Sequence, residues 1–498
     1  MKHLIVVDNE ADWGQEIANT EVVTARHYLA NAVGQRGGRV FNLCRSYAYQ
    51  STGYYVSLLA AARKQRPLPD VMTMQDIHSR SLWRVAGGEL DAEIQRSLRR
   101  LASESFELSV YFGRNLAAAH NRLARQLFNL FPAPLLRAKF ERADDGDWHL
   151  VGLRTIALDD VSANHREFLF QAADLYFAGR YRGSRPKSSR YDLAILVNEQ
   201  EQPPPSNAEA LKRFERAAQK VGFAVQFIDR GDYGRLAEFD ALFIRETTLV
   251  NHHTYRFARR AAIEGLQVID DPDSILRCTN KVFLAELLKR QKVSTPRSMI
   301  IHRGNANRVV AELGLPCVLK QPDGAFSAGV IRVEDEASLK AGLTRFLRDS
   351  DLVLGQSFVP TEFDWRIGIL DGQPLYACRY YMAAAHWQII QRDNEGNITE
   401  GDSDTVPIDQ VPSNVMETAL RAARAIGNGL YGVDLKACGD DCHVIEVNDN
   451  PTIDHGVEDL LLGDRLYEII MGTLMKRVEA SKEPASRDQV LASTGEAS

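Results

Sequence analysis

The stretch Gly432–Pro451 reads GVDLKACGDDCHVIEVNDNP. Apolar and polar residues alternate on either side of Gly439, Asp440 and Asp441, which have the composition of a tight turn, so the segment predicts a hairpin of two strands. Its polar half is the informative part. Asp434, Glu446, Asn448 and Asp449 crowd together, although carboxylates and amides are poor strand formers and like charges repel. Period two puts Glu446 and Asn448 on one side of their strand, with Asp434 on the strand before it. An oxygen-only set of this kind suits a hard cation such as magnesium, which keeps some of its water and shares substrate phosphates. The competing reading is solvated charge on an open sheet face. Cys438 and Cys442 flank the turn, and without a second Cys/His pair they read as hairpin residues rather than metal ligands.

Upstream lies LVLGQSFVPTEFDWRIGIL, Leu352–Leu370. One strand ends at Gln356–Val359 and another starts near Phe363, with Glu362, Asp364 and Arg366 at alternate positions and hence on one face. Two acids and one base there invite a polar ligand. Arg379, in PLYACRYYM, continues on the next strand, and a hairpin around DGQ would bring the two arginines together, an arrangement that suits a phosphate or carboxylate. Lys320 closes the strand CVLK beside a loop with Gly324 and Gly329, where backbone N–H groups can approach phosphate oxygens. Lys281 opens a helix after Thr279 and Asn280, where an ammonium and a helix N-terminus can hold an anion together. Taken singly, each lysine also reads as a solvent-tipped surface side chain.

Residues 1–182 alternate strand-like runs (LIVVD, VMTM) with helical ones such as GYYVSLLAAARKQR, which predicts an α/β domain. Within it, LLRAKFERADDGDWHLVGLRTIAL reads as two strands joined at DDGD. GSRPKSSR, Gly183–Arg190, has the polar, Pro-containing composition of a linker. From 191 to 275 the βαβα alternation predicts a small parallel sheet, its first helix opened by a capping box of Ser206 and Glu209. From 276 to 478 the pattern is α+β, and the polar tail 479–498 is expected to be disordered.

The chain has 498 residues, 45% hydrophobic, with a formal charge of −6. That balance offers no footprint for nucleic acid or an anionic membrane, so small molecules or proteins are the expected partners. The start, MKHLIVVDNEADW, meets Asp8 too early for a signal peptide, and no run approaches membrane-spanning length, so a cytoplasmic location is expected. The six cysteines are scattered, and no Ser/His/Asp or Cys/His arrangement points to a covalent nucleophile.

The order of these parts, two lysines, a glycine loop, an acid, arginines and then a D…E-x-N set, resembles the ATP-grasp fold. More narrowly it resembles the RimK-type ligases, whose chains share an EVN-x-x-P element like EVNDNP here and a preceding GVD like Gly432–Asp434. NLCRSYAYQSTGYYVSLLAAARKQRPLP resembles the RimK-like ATP-grasp N-terminal (RLAN) domain. The likeness covers residues 190–478 as pre-ATP-grasp plus ATP-grasp and, less specifically, residues 1–182. It implies an N-terminal α/β domain, a small parallel sheet and an ATP-grasp fold of two α+β subdomains.

The resemblance also implies roles. Lys281 and Lys320 would hold ATP phosphates, covered by the loop of Gly324, Ser327 and Gly329. Gln356, Ser357, Phe358 and Val359 would form the hinge whose backbone meets adenine, and Glu362 would take the ribose hydroxyls. Asp434, Glu446 and Asn448 would coordinate magnesium (or manganese), with Glu446 bridging two ions. Arg366 and Arg379 would stabilise the transferred phosphoryl group and an acyl phosphate. The implied reaction joins a carboxylate, on an amino acid, peptide or protein tail, to an amine with release of ADP and phosphate, and self-association is implied too. A small-molecule kinase or a non-catalytic ATP-binding module on the same fold are the alternatives.

After Arg379 the chain departs from the family's glycine-rich, Asn-containing stretch and reads YYMAAAHWQIIQRDNEGNITEGDSDTVP, which leaves the acceptor pocket undefined. His386 and Trp387 fall there, and Trp387 reads as packing. In the N-terminal part, Tyr49, Gln50, Ser51, Gly53 and Tyr54 form a helix entrance capped by Ser51, with packed tyrosines favoured over a docking site for a carrier or peptide.

Overall fold

Two short stretches show how the N-terminal segment folds. Ser51 caps the helix Thr52–Ala62, its hydroxyl accepting from the Tyr54 N–H at 3.3 Å. Gly53 in the first turn lies so close to the Ser46 carbonyl that a Cβ would sit 2.4 Å from its oxygen, and glycine removes that clash. Tyr47 takes the buried place beside this helix, its hydroxyl donating to the Asn42 carbonyl at 2.7 Å. Tyr49, expected to pack, is instead 70% exposed, its ring 5.2 Å from that of Tyr54.

The computed structural model describes residues 3–17, 20–31, 33–34, 38–79, 90–143, 145–178, 189–323, 329–383, 387–392 and 398–482. The expected linker from Gly183 and the expected tail fall almost wholly outside these, as do Gly324, Ser327 and His386. The chain divides into two units, one built on residues 1–187 with Gly231–Glu238, the other on Ser188–Arg230 and Phe239–Ala480.

The first unit holds a parallel sheet in the order Thr20–Thr24, His3–Val7, Arg39–Asn42, Arg66–Leu68. An antiparallel meander of Ser105–Tyr111, Leu135–Arg142 and Trp148–Thr155 follows. The last two strands are those expected around DDGD, with Gly146 at φ +92° in the turn. The run VMTM is not a strand. It begins the helix Val71–His78, because the Asp70 carboxylate accepts from the Thr73 N–H at 2.6 Å and caps it. Four residues are too short to separate the two periodicities, so the cap decides.

The second unit begins with a parallel sheet in the order Gln267–Ile269, Ala241–Arg245, Tyr191–Val197, Phe223–Ile228. Its first helix, Ala208–Val221, is capped by Asn207, whose side chain accepts from Ala210 N–H at 2.9 Å, and not by Ser206. Ser206 is buried and its hydroxyl donates to the Ile453 carbonyl at 2.8 Å, so the cap moves on by one residue and Glu209 no longer has capping-box spacing. The last helix, Asp464–Lys482, shares this core, with the Phe214 and Tyr467 rings 4.7 Å apart.

Two antiparallel sheets complete the unit. One runs Ser298–Ile301, Val353–Ser357, Cys317–Lys320, Val330–Val333, packed by the helix Glu336–Asp349. The other runs Ser403–Thr405, Gln373–Tyr381, Phe363–Leu370, Leu430–Cys438, Asp441–Asn448, packed by the helix Ser413–Ile426. The whole is α/β plus α+β. Among the described residues no helix is long and apolar enough to cross a membrane.

Candidate active site

The five-stranded sheet sets its polar face by register. Arg366 lies opposite Asp434, Asp434 opposite Glu446, Gly432 opposite Asn448 and Asp364 opposite Tyr380. Directly opposed residues share a face. The face therefore carries Asp364, Arg366, Tyr380, Asp434, Glu446 and Asn448, and all of these line one cavity of about 430 Å³.

Pairing within it is dense. The Arg366 guanidinium donates twice to Asp434, one bond being Nη2 to Oδ2 at 2.9 Å. Asn448 Nδ2 donates to the same Oδ2 at 3.1 Å. Lys281 lies at the first position of the helix Lys281–Arg290, whose cap Asn280 accepts from Phe283 N–H, and its ammonium stands 3.1 Å from Glu446 Oε1. Lys320 reaches the Ile445 carbonyl at 3.5 Å from the end of its own strand. Lys436 donates to Asp364 Oδ1 at 2.6 Å and to Thr361 Oγ1 at 2.8 Å.

Gln356, Ser357, Phe358 and Val359 supply another wall. Gln356 Nε2 donates to Ser298 Oγ at 3.0 Å, and the Phe358 ring lies under the Arg332 guanidinium at 4.1 Å with Trp387 edge-on at 6.1 Å. A third wall comes from Thr247, Thr248 and Leu249 together with Asn450–Thr452, Asp454 and Glu458. Buried Arg245 ties these segments, donating to Asn450 Oδ1 at 2.6 Å and the Pro451 carbonyl at 2.9 Å. A larger, more open recess of about 850 Å³ beside the helix Glu336–Asp349 carries none of the candidate side chains.

Electrostatics follow from this packing. Burial works to raise the Glu446 carboxyl, but Lys281 and Lys320 prevail and hold it below the usual carboxylate range. Burial pushes the Lys320 ammonium from 10.5 down to about 8, with Lys281 adding to the effect and Glu446 opposing it. Lys320 is thus charged below about pH 8 and neutral above it in the folded chain. If it binds a phosphate, kcat/KM for ATP in the free enzyme falls with a one-proton slope above that value, and Lys320→Arg removes the limb, as a pH–rate profile checks. The stability sign is opposite. The unfolded chain binds more protons between about 8 and 10.5, so the Lys320 contribution rises with pH there.

Three expected site residues lie elsewhere. Glu362 is exposed and precedes the strand Phe363–Leu370, so strand alternation does not reach it, and it lies outside the cavity lining. The acids that alternation carries onto the cavity face begin at Asp364. Arg379 is opposite Trp365 and so sits on the other face from Arg366, paired with Asp404 (Nε to Oδ1, 3.0 Å) under the Phe363 and Trp365 rings. The two arginines do not converge, because the hairpin register places Cys378, not Arg379, opposite Arg366. Arg379→Met is expected to change kcat less than about threefold, the scale of an exposed ion pair, as steady-state ADP release checks. Gly329 stands at φ +76° with its carbonyl accepting from Gln321 N–H at 2.8 Å, also outside the lining.

Sequence reasoning missed Lys436, Tyr380, Asp454 and Glu458. Lys436 was legible as the next alternate position after Asp434. Tyr380 needed the hairpin register, and Asp454 and Glu458 needed the third wall. The Tyr380 hydroxyl donates to Glu458 Oε1, and the Asp454 N–H donates to Oε2 at 2.7 Å. Burial pushes the Glu458 carboxyl up to about 7.

Comparison with known proteins gives this cavity a context. Residues 25–172 match the RimK-like ATP-grasp N-terminal domain and residues 278–461 the RimK-like ATP-grasp domain. A probable α-L-glutamate ligase of Xanthomonas euvesicatoria pv. vesicatoria is 30% identical over 225 residues, 44% of this chain and 72% of the relative. A probable α-L-glutamate ligase of Vibrio vulnificus is 23% identical over 50% of this chain and 80% of its own. A D-alanine–D-alanine ligase structure from Bacillus anthracis is similar with a TM-score of 0.46 at 15% identity, over 59% of this chain and 99% of that one. With the RimK-like ATP-grasp domain matched over residues 278–461 and a probable α-L-glutamate ligase 30% identical over 72% of its own length, the chain belongs to the RimK-like ATP-grasp family and is an ATP-dependent carboxylate–amine ligase.

Proposed function

We propose that the cavity binds ATP between the Gln356–Val359 wall and the Lys281, Lys320 and Arg366 cations, and activates a carboxylate as an acyl phosphate. The observation that supports this most is the register-locked meeting of Arg366, Asp434, Glu446 and Asn448 with the two lysine ammoniums around one cavity. Cations held by buried partners in a low-dielectric site act on charge as it develops, without reorganising at the moment of reaction.

In this reading Lys281 and Lys320 hold phosphate oxygens, the backbone of Gln356–Val359 meets adenine, and Asp364, which lines the cavity where Glu362 does not, takes the ribose hydroxyls. Asp434, Glu446 and Asn448 offer oxygen donors whose hardness fits magnesium, with manganese the natural substitute. Magnesium held there would spread the negative charge of the phosphate oxygens. The acceptor carboxylate attacks the γ-phosphorus, the bond to the bridging oxygen breaks, and ADP leaves. Arg366 stabilises the charge on the transferred group. The amine then attacks the acyl carbon, phosphate leaves, and Glu458, with its proton affinity near neutrality, takes the proton that the amine sheds.

The two relatives are named for glutamate addition, so glutamate and glutamate-ended peptides are the first substrates to test, in a cytoplasmic setting and with sedimentation to measure self-association. The full chain would be given ATP, magnesium and a panel of amino acids and short peptides, with product masses read. ADP release that needs both an acid and an amine, with a new amide mass, is the expected result. A phosphorylated hydroxyl product formed without any amine would make the protein a kinase instead.

A further inference from the structure

Outside the proposed nucleotide site, one cluster has the makings of a second metal centre. Glu246, His252 and His253 each present a ligand atom, and these atoms lie within 4.8 Å of one another. Glu246 follows the strand Ala241–Arg245 and is only 2% exposed. His252 and His253 stand at the start of the helix His253–Ile263, their ring centroids 3.9 Å apart.

The carboxylate is the first telling feature. Its two oxygens lie 2.8 and 2.9 Å from the same atom, His253 Nε2, and the buried Oε1 makes no hydrogen bond. A single N–H cannot be aimed at both oxygens, so the buried carboxylate is short of one donor, and a cation makes up the shortfall. The second feature is what stands behind the ligands. His252 Nδ1 is 3.2 Å from Thr254 Oγ1, which itself donates to the Thr247 carbonyl at 3.3 Å. With Nδ1 engaged, Nε2 is left with its lone pair, the arrangement that orients a metal-bound imidazole. The Glu246 backbone is also held, its carbonyl accepting from Asn450 Nδ2 at 2.7 Å.

We propose that Glu246, His252 and His253 bind a late first-row divalent cation, with zinc the best match, at a site separate from the magnesium ligands. Two imidazoles and one carboxylate are borderline donors that suit zinc better than magnesium. Zinc would open the 2.8–2.9 Å contact between Glu246 and His253 and set all three donors roughly 3.3 Å apart. It would take the place of the proton on His253 Nε2, which passes to Nδ1 of that ring or to solvent, and leave a coordination position open to water. Since Thr247, Thr248 and Leu249 follow Glu246 and line the candidate active-site cavity, the ion would brace that wall.

The test uses the tag-free full chain, stripped with chelator and titrated with zinc alone, without ATP, by calorimetry and metal analysis. One equivalent bound at micromolar or tighter affinity is expected, with a rise in Tm of several degrees at saturation. His252→Ala and His253→Ala should each weaken binding by at least about tenfold. Glu246→Gln keeps a hydrogen-bond partner for His253 and should fold as the parent does while losing affinity by a similar factor. Asn448→Ala, in the proposed magnesium set, should leave zinc uptake unchanged, so failure here is distinguishable from failure of the ligase reading. No uptake at tenfold excess zinc, or uptake equal in the parent and all three Glu246, His252 and His253 variants, would overturn the proposal.

Discussion

Replacing Glu446 by glutamine lowers the rate of ADP release by roughly 10³-fold, the scale at which removing one preorganised charge-stabilising group acts. The side chain keeps its length and can still accept from Lys281, 3.1 Å away in the parent, but the buried Lys281 and Lys320 ammoniums lose their counter-charge, so stability should fall by about 1–3 kcal/mol. What is lost is the anion that Lys281 and Lys320 both face, and with it the central donor proposed for magnesium. Single-turnover ADP release beside a denaturation curve measures both halves. An unchanged rate would make the cavity a non-catalytic nucleotide module.

Arg366→Leu is the change with the largest expected cost to the fold itself. The guanidinium and Asp434 side chains are 14% and 13% exposed, and removing one partner of a buried pair costs about 3–5 kcal/mol. Burial raises the Asp434 carboxyl and Arg366 opposes that effect, so without the arginine Asp434 takes up a proton or stays as an unpaired charge. Adding Asp434→Asn to the same chain should recover stability, because the uncompensated charge is gone, and should not recover turnover. Denaturant titration and ADP release on the parent, the single and the double variant give the answer. Equal stability of the parent and Arg366→Leu would remove the buried pair from the account.

Much of the site was legible because strand alternation is a local property. The hairpin around Gly439 and the common side of Glu446 and Asn448 followed from residue type and spacing. The same logic failed where its premise stopped: Glu362 precedes its strand, and VMTM was too short for its period to be read against a well-placed Asp70 cap. At Ser206 two good caps competed, and the deciding fact was a carbonyl 247 residues away, that of Ile453.

By itself, then, the amino-acid order determined most of the element sequence, the turn chemistry, and which carboxylates, amides and lysines were available to one polar cavity. Only the tertiary structure decided which of them meet. Pairing Arg366 with Cys378 on one side and Asp434 on the other sends Arg379 to the far face and brings Tyr380 to the near one. A side-chain period of two means that a shift of one residue in register exchanges the faces of a whole strand, and register is a long-range property, set by the hairpin turn and by the core packed beneath the sheet.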